Sequence, residues 1–322
     1  MTVTPSRLQA ALPRRRPSTS GEFMAVIVLG FLVASWPPPH SHLELDGKSA
    51  MELHSQTDDW PVGDAAVVVV GPSGVLDSFG RGNQDSALPW ASVTKLITAL
   101  TVLDACADGT LDLDQPAGPP GSTVAHLLAH AGGLPFECGA PIGAPGARRI
   151  YSNYGYELLA DTLAQAAGGP FVEELTGRVL QPLAMTGTEL AGSPASGAVG
   201  PLADLAKLAV ELLEPAVLGP EIVGWASTLA FPGLSGILPG FGGQQHNDWG
   251  LGCEIRDSKN PHWTSPQNSS KTFGHFGQSG SFLWVDPVAH LACASLCDTR
   301  FGPWSARLWP RLSTAVLHQF NG

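Results

Sequence analysis

The spacing of apolar residues along the chain changes period several times, and the changes mark its elements. Ala65 to Val70 reads Ala-Ala-Val-Val-Val-Val, a β-branched run too short for a helix. Gly71-Pro72-Ser73-Gly74 supplies turn chemistry, and Val75 to Phe79 returns as a second strand, so a β-hairpin is predicted. Leu96, Ile97, Leu100 and Leu103 then recur at helical spacing, with Gly109 as a stop signal. Thr123 to Pro135 predicts a short packed helix closed by glycine. The helix after Tyr151 places Leu159, Leu163 and Ala166 on one face and is broken by Gly168-Gly169-Pro170. Phe171 to Leu180 predicts a further helix. Leu202 to Leu213 predicts an amphipathic one with Leu205, Leu208, Leu212 and Leu213 inward. Beyond Gly242 the pattern turns to strands. Trp249–Ile255 is one, a glycine-rich element running from Phe273 to Pro287 carries a second, and Leu291–Cys297 is a third, before a closing helix from Trp304 to Phe320.

Strands at both ends with helices between predict a mixed α/β (α+β) fold, an antiparallel sheet built from both chain ends and flanked by helices, with a mainly helical region inserted. The sheet portions are expected at residues 57–90 and 245–322 and the helical portion at 91–244, all within one domain spanning 57–322. Residues 1–56 form an N-terminal extension with its own composition: basic Arg7, Arg14, Arg15 and Arg16, an apolar run from Phe23 to Trp36, then Pro37-Pro38-Pro39. This pattern is that of a signal peptide, with Val33-Ala34-Ser35 as cleavage site and export or membrane anchoring as the consequence. The rival expectation is a functional start near Met51 and a cytoplasmic protein. The run is shorter than the roughly 18 apolar residues of a clear membrane span.

Composition narrows the function. With 43% hydrophobic and 14% charged residues the 322-residue chain suits a globular enzyme, and its net charge of -11 argues against a nucleic-acid partner. The five cysteines show no metal spacing, and Cys293 and Cys297 lie in an apolar strand where thiols pack as small hydrophobes. His126 and His130 are spaced as in a zinc-binding helix, but no glutamate lies between them, so no metal is expected.

The chemistry centres on Ser92-Val93-Thr94-Lys95 at the start of the apolar helical run. Ser92 falls in the first turn and Lys95 one turn on, on the same face. A serine hydroxyl needs a base, and burial lowers a lysine's pKa until it can be one. First-turn N–H groups offer positive potential to an oxyanion. Each residue also has an ordinary use: Ser92 as a first-turn serine, Lys95 as a solvated one, Tyr151 as a core aromatic, Asn153 as a helix cap, His275 as a packed strand residue. Two decoys fail on inspection. Gly277-Gln278-Ser279-Gly280-Ser281 lacks the last glycine of a nucleophile elbow, and Lys271-Thr272 is followed by Phe273 where Lys-Thr-Gly requires glycine.

Three elements stand in order: Ser92-x-x-Lys95, Tyr151-Ser152-Asn153 and His275-Phe276-Gly277. With His130-Ala131-Gly132-Gly133-Leu134-Pro135, Pro145-Gly146, Pro182-Leu183-Ala184-Met185 and Trp249-Gly250-Leu251-Gly252, the chain from Trp60 onward resembles the serine β-lactamase and penicillin-binding-protein superfamily, in its class C β-lactamase-like branch of esterases and D-Ala-D-Ala peptidases. The resemblance implies that Ser92 is acylated, that Lys95 and Tyr151 share the base role with the tyrosine anionic or hydrogen-bonded, and that Asn153 binds the substrate carbonyl. It implies an oxyanion hole from the N–H groups of Ser92 and Gln278, with Gly277 allowing close approach, and no cofactor. The substrate is then a small ester, amide or peptide; β-lactamase or D,D-carboxypeptidase activity and a non-catalytic sensor are the alternatives. Three departures matter. His275 replaces a lysine, Phe276 replaces a small hydroxyl residue, and Gly132 stands where relatives often carry serine. A histidine, mostly uncharged at neutral pH, keeps one hydrogen bond to donate but no permanent charge, which predicts esterase over β-lactamase activity.

Overall fold

The computed structural model describes residues 52–321, so the signal-segment and Met51 expectations lie outside the described residues. The hairpin of β1 (Ala65–Gly71) and β2 (Gly74–Arg81) forms as the turn residues require, with Gly74 at φ 114°. β1 then pairs antiparallel with a strand from the far end of the chain, β11 (Leu291–Cys297), in register Ala65↔Cys297 through Val70↔Ala292. β8 (Glu254–Ile255), β9 (Phe273–Phe276) and β10 (Phe282–Asp286) complete a six-stranded antiparallel sheet in the order β2-β1-β11-β10-β9-β8. Short pairings β3 (Leu88–Pro89), β4 (Glu189–Leu190) and β5 (Ala198–Gly200), and the hairpin β6 (Gly236–Leu238) and β7 (Gly242–Gln244), stand outside it.

Every residue of β1, β10 and β11 is buried because both faces of the sheet are covered. Alternation sorts their side chains into two cores. Val67, Val69, Trp284 and Cys293 pack with Trp309, Leu312 and Val316 of the closing helix α7 (Pro303–Asn321). Val68, Val70, Leu283 and Ala294 join the larger core with α1 (Thr94–Ala107) and α5 (Leu202–Leu213), where Leu205, Leu208 and Leu212 are buried. Between them run α2 (Val124–Leu128), α3 (Asn153–Ala167), α4 (Phe171–Leu175), continued as a π-turn over Thr176–Leu180, and α6 (Pro220–Ser227).

Three local expectations need correction. Trp249–Ile255 is a strand only at Glu254–Ile255. Its glycines instead press against helices: a Cβ on Gly250 would lie 2.1 Å from the Ala226 carbonyl oxygen, and one on Gly252 would lie 2.4 Å from the Ala99 methyl. Ala166 is exposed rather than inward, since α3 buries Leu159, Ala160 and Leu163 and turns away before its end. The helix carrying His126 stops at Leu128. His130 lies beyond it at φ 54°, so the two imidazoles do not share a helix face.

Candidate active site

The Ser92 region is set by an unusual backbone. Trp90, fully buried, donates its N–H to Ala198 and its indole N–H to Gly200. Ala91 follows with φ 44°, a left-handed conformation costly for a side chain, and Ser92 lies in the single 3₁₀ turn that opens α1. Ser92 is half-buried while Lys95 is completely buried. The Lys95 ammonium reaches the Asn153 Oδ1 at 2.7 Å and the Ala195 carbonyl at 2.8 Å, and sits 4.8 Å from the centre of the Tyr151 ring. Burial lowers its pKa to about 7, against the opposing pull of Glu137 and Glu157.

Tyr151 is presented by the N-terminus of α3. The cap is Ser152, not Asn153: the Ser152 hydroxyl accepts from the Gly155 N–H at 3.0 Å and donates to the Pro135 carbonyl at 2.6 Å. This frees the Asn153 amide, whose Nδ2 donates to Glu137 Oε1 at 3.3 Å. Arg149, just upstream, is buried. Its guanidinium ties together the carbonyls of Asn247, Ala129, Ala230 and Phe231, and burial lowers its pKa to about 10. Burial also pushes the Tyr151 phenol well above the ordinary tyrosine value, opposed by the adjacent Ser92 hydroxyl. Of the two states the resemblance implies, anionic or hydrogen-bonded, burial favours the protonated, hydrogen-bonded phenol.

His275 lies on β9 with its Nδ1 2.7 Å from the Phe276 carbonyl oxygen. A carbonyl only accepts, so Nδ1 carries the proton. Nε2, 3.4 Å from the Tyr151 hydroxyl, is bare and accepts. Burial, then the charge of Lys95, lower the imidazole to about 3, so it is neutral. Its donor hydrogen is spent on the backbone, which corrects the expectation that it has one to offer a substrate. Gly277, just past β9, packs against the Trp90–Ser92 loop; a Cβ there would lie 2.5 Å from the Trp90 carbonyl oxygen. The Ser281 hydroxyl donates to that same carbonyl at 2.6 Å and bonds Ser279, so the decoy serines are structural ties.

Ser92, Tyr151, His275 and Gln278 line one cavity of about 90 Å³ with Phe136, Leu238, Pro239, Trp249, Glu254 and Phe276. Lys95 and Asn153 are not in that lining but are bonded to each other, with the Lys95 amine 4.8 Å from the ring of the lining Tyr151. Lys271 is exposed and not part of the lining.

Several site residues escaped the sequence. His130, buried, packs 4.5 Å from the Tyr151 ring and 4.7 Å edge-on from Trp249, and its Nδ1 accepts from the Ser152 N–H at 3.2 Å. Its membership in the Gly-Gly-Leu-Pro segment was the available signal. His126 instead bonds Thr123 and packs on Phe231. Glu137 and Glu254 had no local signal at all.

The geometry agrees with comparisons to known proteins. The family model described as Beta-lactamase matches residues 54–317. A solved beta-lactamase (Mb2281c) from Mycobacterium bovis is 47% identical, with a TM-score of 0.80 over 84% of this chain and 99% of that one. The hydrolase EstCE1, with promiscuous acyltransferase activity, is 18% identical with a TM-score of 0.69 over 84% of this chain and 98% of its own, a likeness of fold. The D-alanyl-D-alanine-carboxypeptidase/endopeptidase AmpH of Escherichia coli (strain K12) is 30% identical over a 177-residue alignment covering 41% of this chain and 46% of that protein. The chain thus spans about half the length of the curated relatives it matches. With the family match covering most of its length and the fold in agreement, the chain belongs to the Beta-lactamase family, within the serine β-lactamase and penicillin-binding-protein superfamily.

Proposed function

We propose that the protein is a serine hydrolase of the class C β-lactamase-like branch that acts through an acyl-enzyme on small neutral esters. The observation that carries this reading is the buried Lys95 amine, with a pKa of about 7, one helical turn from Ser92. Near neutral pH a share of it is uncharged and able to accept a proton. Ser92 Oγ attacks the substrate carbonyl, and its proton passes by way of the Tyr151 phenol to Lys95. The oxyanion develops against the N–H groups of Ser92 and Gln278, and Asn153 Nδ2 turns from Glu137 to the substrate carbonyl. The ester C–O bond then breaks, and the alcohol leaves with the proton held by the base. Water, deprotonated by the same base, releases the acid and restores Ser92.

The preference for neutral substrates is supported by the wall of the cavity. No cationic residue is among its lining, His275 is neutral, and Phe136, Leu238, Pro239, Trp249 and Phe276 make most of the surface. A site for the carboxylate of a β-lactam or a D-alanyl peptide would need a charge-assisted donor. At about 90 Å³ the cavity is far below the roughly 300–1,000 Å³ of drug-sized sites, which favours short acyl groups.

The test compares kcat/KM for a short acyl ester and a chromogenic cephalosporin at neutral pH, with Ser92→Ala as control. The ester is expected to be turned over well above the cephalosporin, and both turnover and phosphonate labelling to vanish in Ser92→Ala. A preference for the cephalosporin refutes the substrate reading. Labelling that survives in Ser92→Ala refutes the nucleophile.

A further inference from the structure

Glu254 is a carboxylate on the wall of an otherwise apolar cavity, yet its side chain is only 3% exposed and that of its partner Lys259 is fully buried. The two are 2.6 Å apart through Oε1. The other carboxylate oxygen, Oε2, accepts from His262 Nε2 and from the Trp263 indole, each at 3.0 Å. His262 Nδ1 accepts from the Thr264 N–H at 3.1 Å, so its hydrogen is on Nε2 and the ring is a neutral donor. The remaining Lys259 hydrogens go to the carbonyls of Asp248, at 2.8 Å, and Ile255. One ammonium therefore closes both ends of the segment from Asp248 to Ile255. That segment carries Trp249, whose indole lies 5.4 Å from His275 and 5.9 Å from Tyr151. On the neighbouring strand Glu254 is opposite Gly274, next to His275.

Stability does not require such a pair, because well-packed apolar residues of similar size commonly serve as well. What an ion pair adds here is a fixed orientation and a balanced charge beside the base. We propose that Glu254 and Lys259 are positioning residues for acyl transfer: the pair locks Trp249 and His275 against Tyr151 and keeps the cavity wall electrically closed. This rests on the hydrolase reading above. The other charged or titratable groups around Glu254 are the adjacent Cys253 thiol, His262 and Arg256 beside it, Asp248 at the Lys259 end, His275 on β9, and Lys95 beyond His275.

The experiment reads Tyr151 directly. The chain has three tyrosines, so 3-fluorotyrosine labelling gives three ¹⁹F signals, and Tyr151→Phe assigns the one wanted. In the full chain with Lys259 intact, Glu254 stays ionised and the Tyr151 signal is expected to show no Glu254 titration from pH 5 to 9. In Lys259→Met the unpaired carboxyl climbs into that range. The Tyr151 signal then titrates with it, and ester kcat falls about 10–100-fold as the carboxylate ionises, with KM little changed. Glu254→Gln combined with Lys259→Met removes the titration. A Tyr151 signal and kcat in Lys259→Met that match the wild type at every pH, or a titration of the double variant that exceeds the Lys95 titration common to all variants, overturns the proposal. If Lys259→Met does not fold, Glu254→Gln breaks the pair from the other side, and a Tyr151 signal and ester kcat that match the wild type at every pH overturn the lock. Absence of Ser92-dependent ester turnover in the wild type refutes the hydrolase reading alone, since the ¹⁹F measurement still decides the lock.

Discussion

The depressed pKa of Lys95 sets a stability cost that can be measured apart from catalysis. Its fall from 10.5 to about 7 in a completely buried site corresponds to about 5 kcal/mol spent against the charged form. Between those two values the unfolded chain holds the proton and the native state does not. Stability therefore rises with pH across that window, by about 1.4 kcal/mol per pH unit, and the full deficit is present below pH 7. Lys95→Met removes the titration. The variant also loses the bonds to Asn153 and Ala195, but that loss is the same at every pH. Urea unfolding of wild type and Lys95→Met at intervals from pH 7 to 10 is expected to give stability curves that diverge steadily as pH falls, by roughly 4 kcal/mol over those three pH units. The same variant loses about 10²–10⁴-fold in ester turnover, the size of a general-base contribution. The wild-type kcat/KM profile has its acidic limb near pH 7. Parallel stability curves, together with a rate that climbs only above pH 9, would falsify the claim that burial makes Lys95 the base.

Tyr151→Phe is expected to cost about 10²–10⁴-fold in kcat, and with Lys95→Met to cost little more than the worse single change, because the two handle one proton; full additivity in kinetics of the double variant refutes a shared relay. Glu137→Gln removes a charge that raises the Lys95 pKa, so the acidic limb of the pH–rate profile moves to lower pH, and an unmoved limb shows that Glu137 does not act on the base. Gly277→Ala puts a methyl against the Trp90 carbonyl and is expected to lower kcat while the protein stays folded by circular dichroism; unchanged kcat would mean that β9 and the nucleophile loop can separate freely.

The large elements were legible because their local patterns are strong. The Val67–Val70 run, the turn glycine and the period of Leu96 to Leu103 each specify one conformation, and the sheet from both chain ends follows from where such runs occur. The parts missed depend on contacts made at a distance. The Trp249 segment has the composition of a strand, but Gly250 and Gly252 bring it under Ala226 and Ala99 instead. α6 begins with Pro220 after a left-handed Gly219, a start signal too short to stand out beside the stronger periods. At the site, the Ser92, Lys95 and Tyr151 motifs were readable from residue type and order. The role of His275 was not, because whether it donates or accepts turns on which ring nitrogen meets the Phe276 carbonyl. The Glu254–Lys259–His262 cluster has no period to betray it, since its members meet only after the chain folds back beyond β8.

The pairing of β1 with β11 joins Ala65 to Cys297 and makes the two ends of the fold mutually dependent in time. During synthesis β1, β2 and the serine helix emerge long before their partner strands. The hairpin waits with its inner edge open, and Ser92 waits without the β9 wall that faces it. Closing a loop of this length carries an entropic cost of about 5 kcal/mol, growing only as the logarithm of its length. Such non-local pairing makes for slow folding. A chain cut short before β9 therefore lacks both the Gly277 approach to the Trp90 carbonyl and the Tyr151–His275 contact. The last strands to be made complete the wall that faces Ser92.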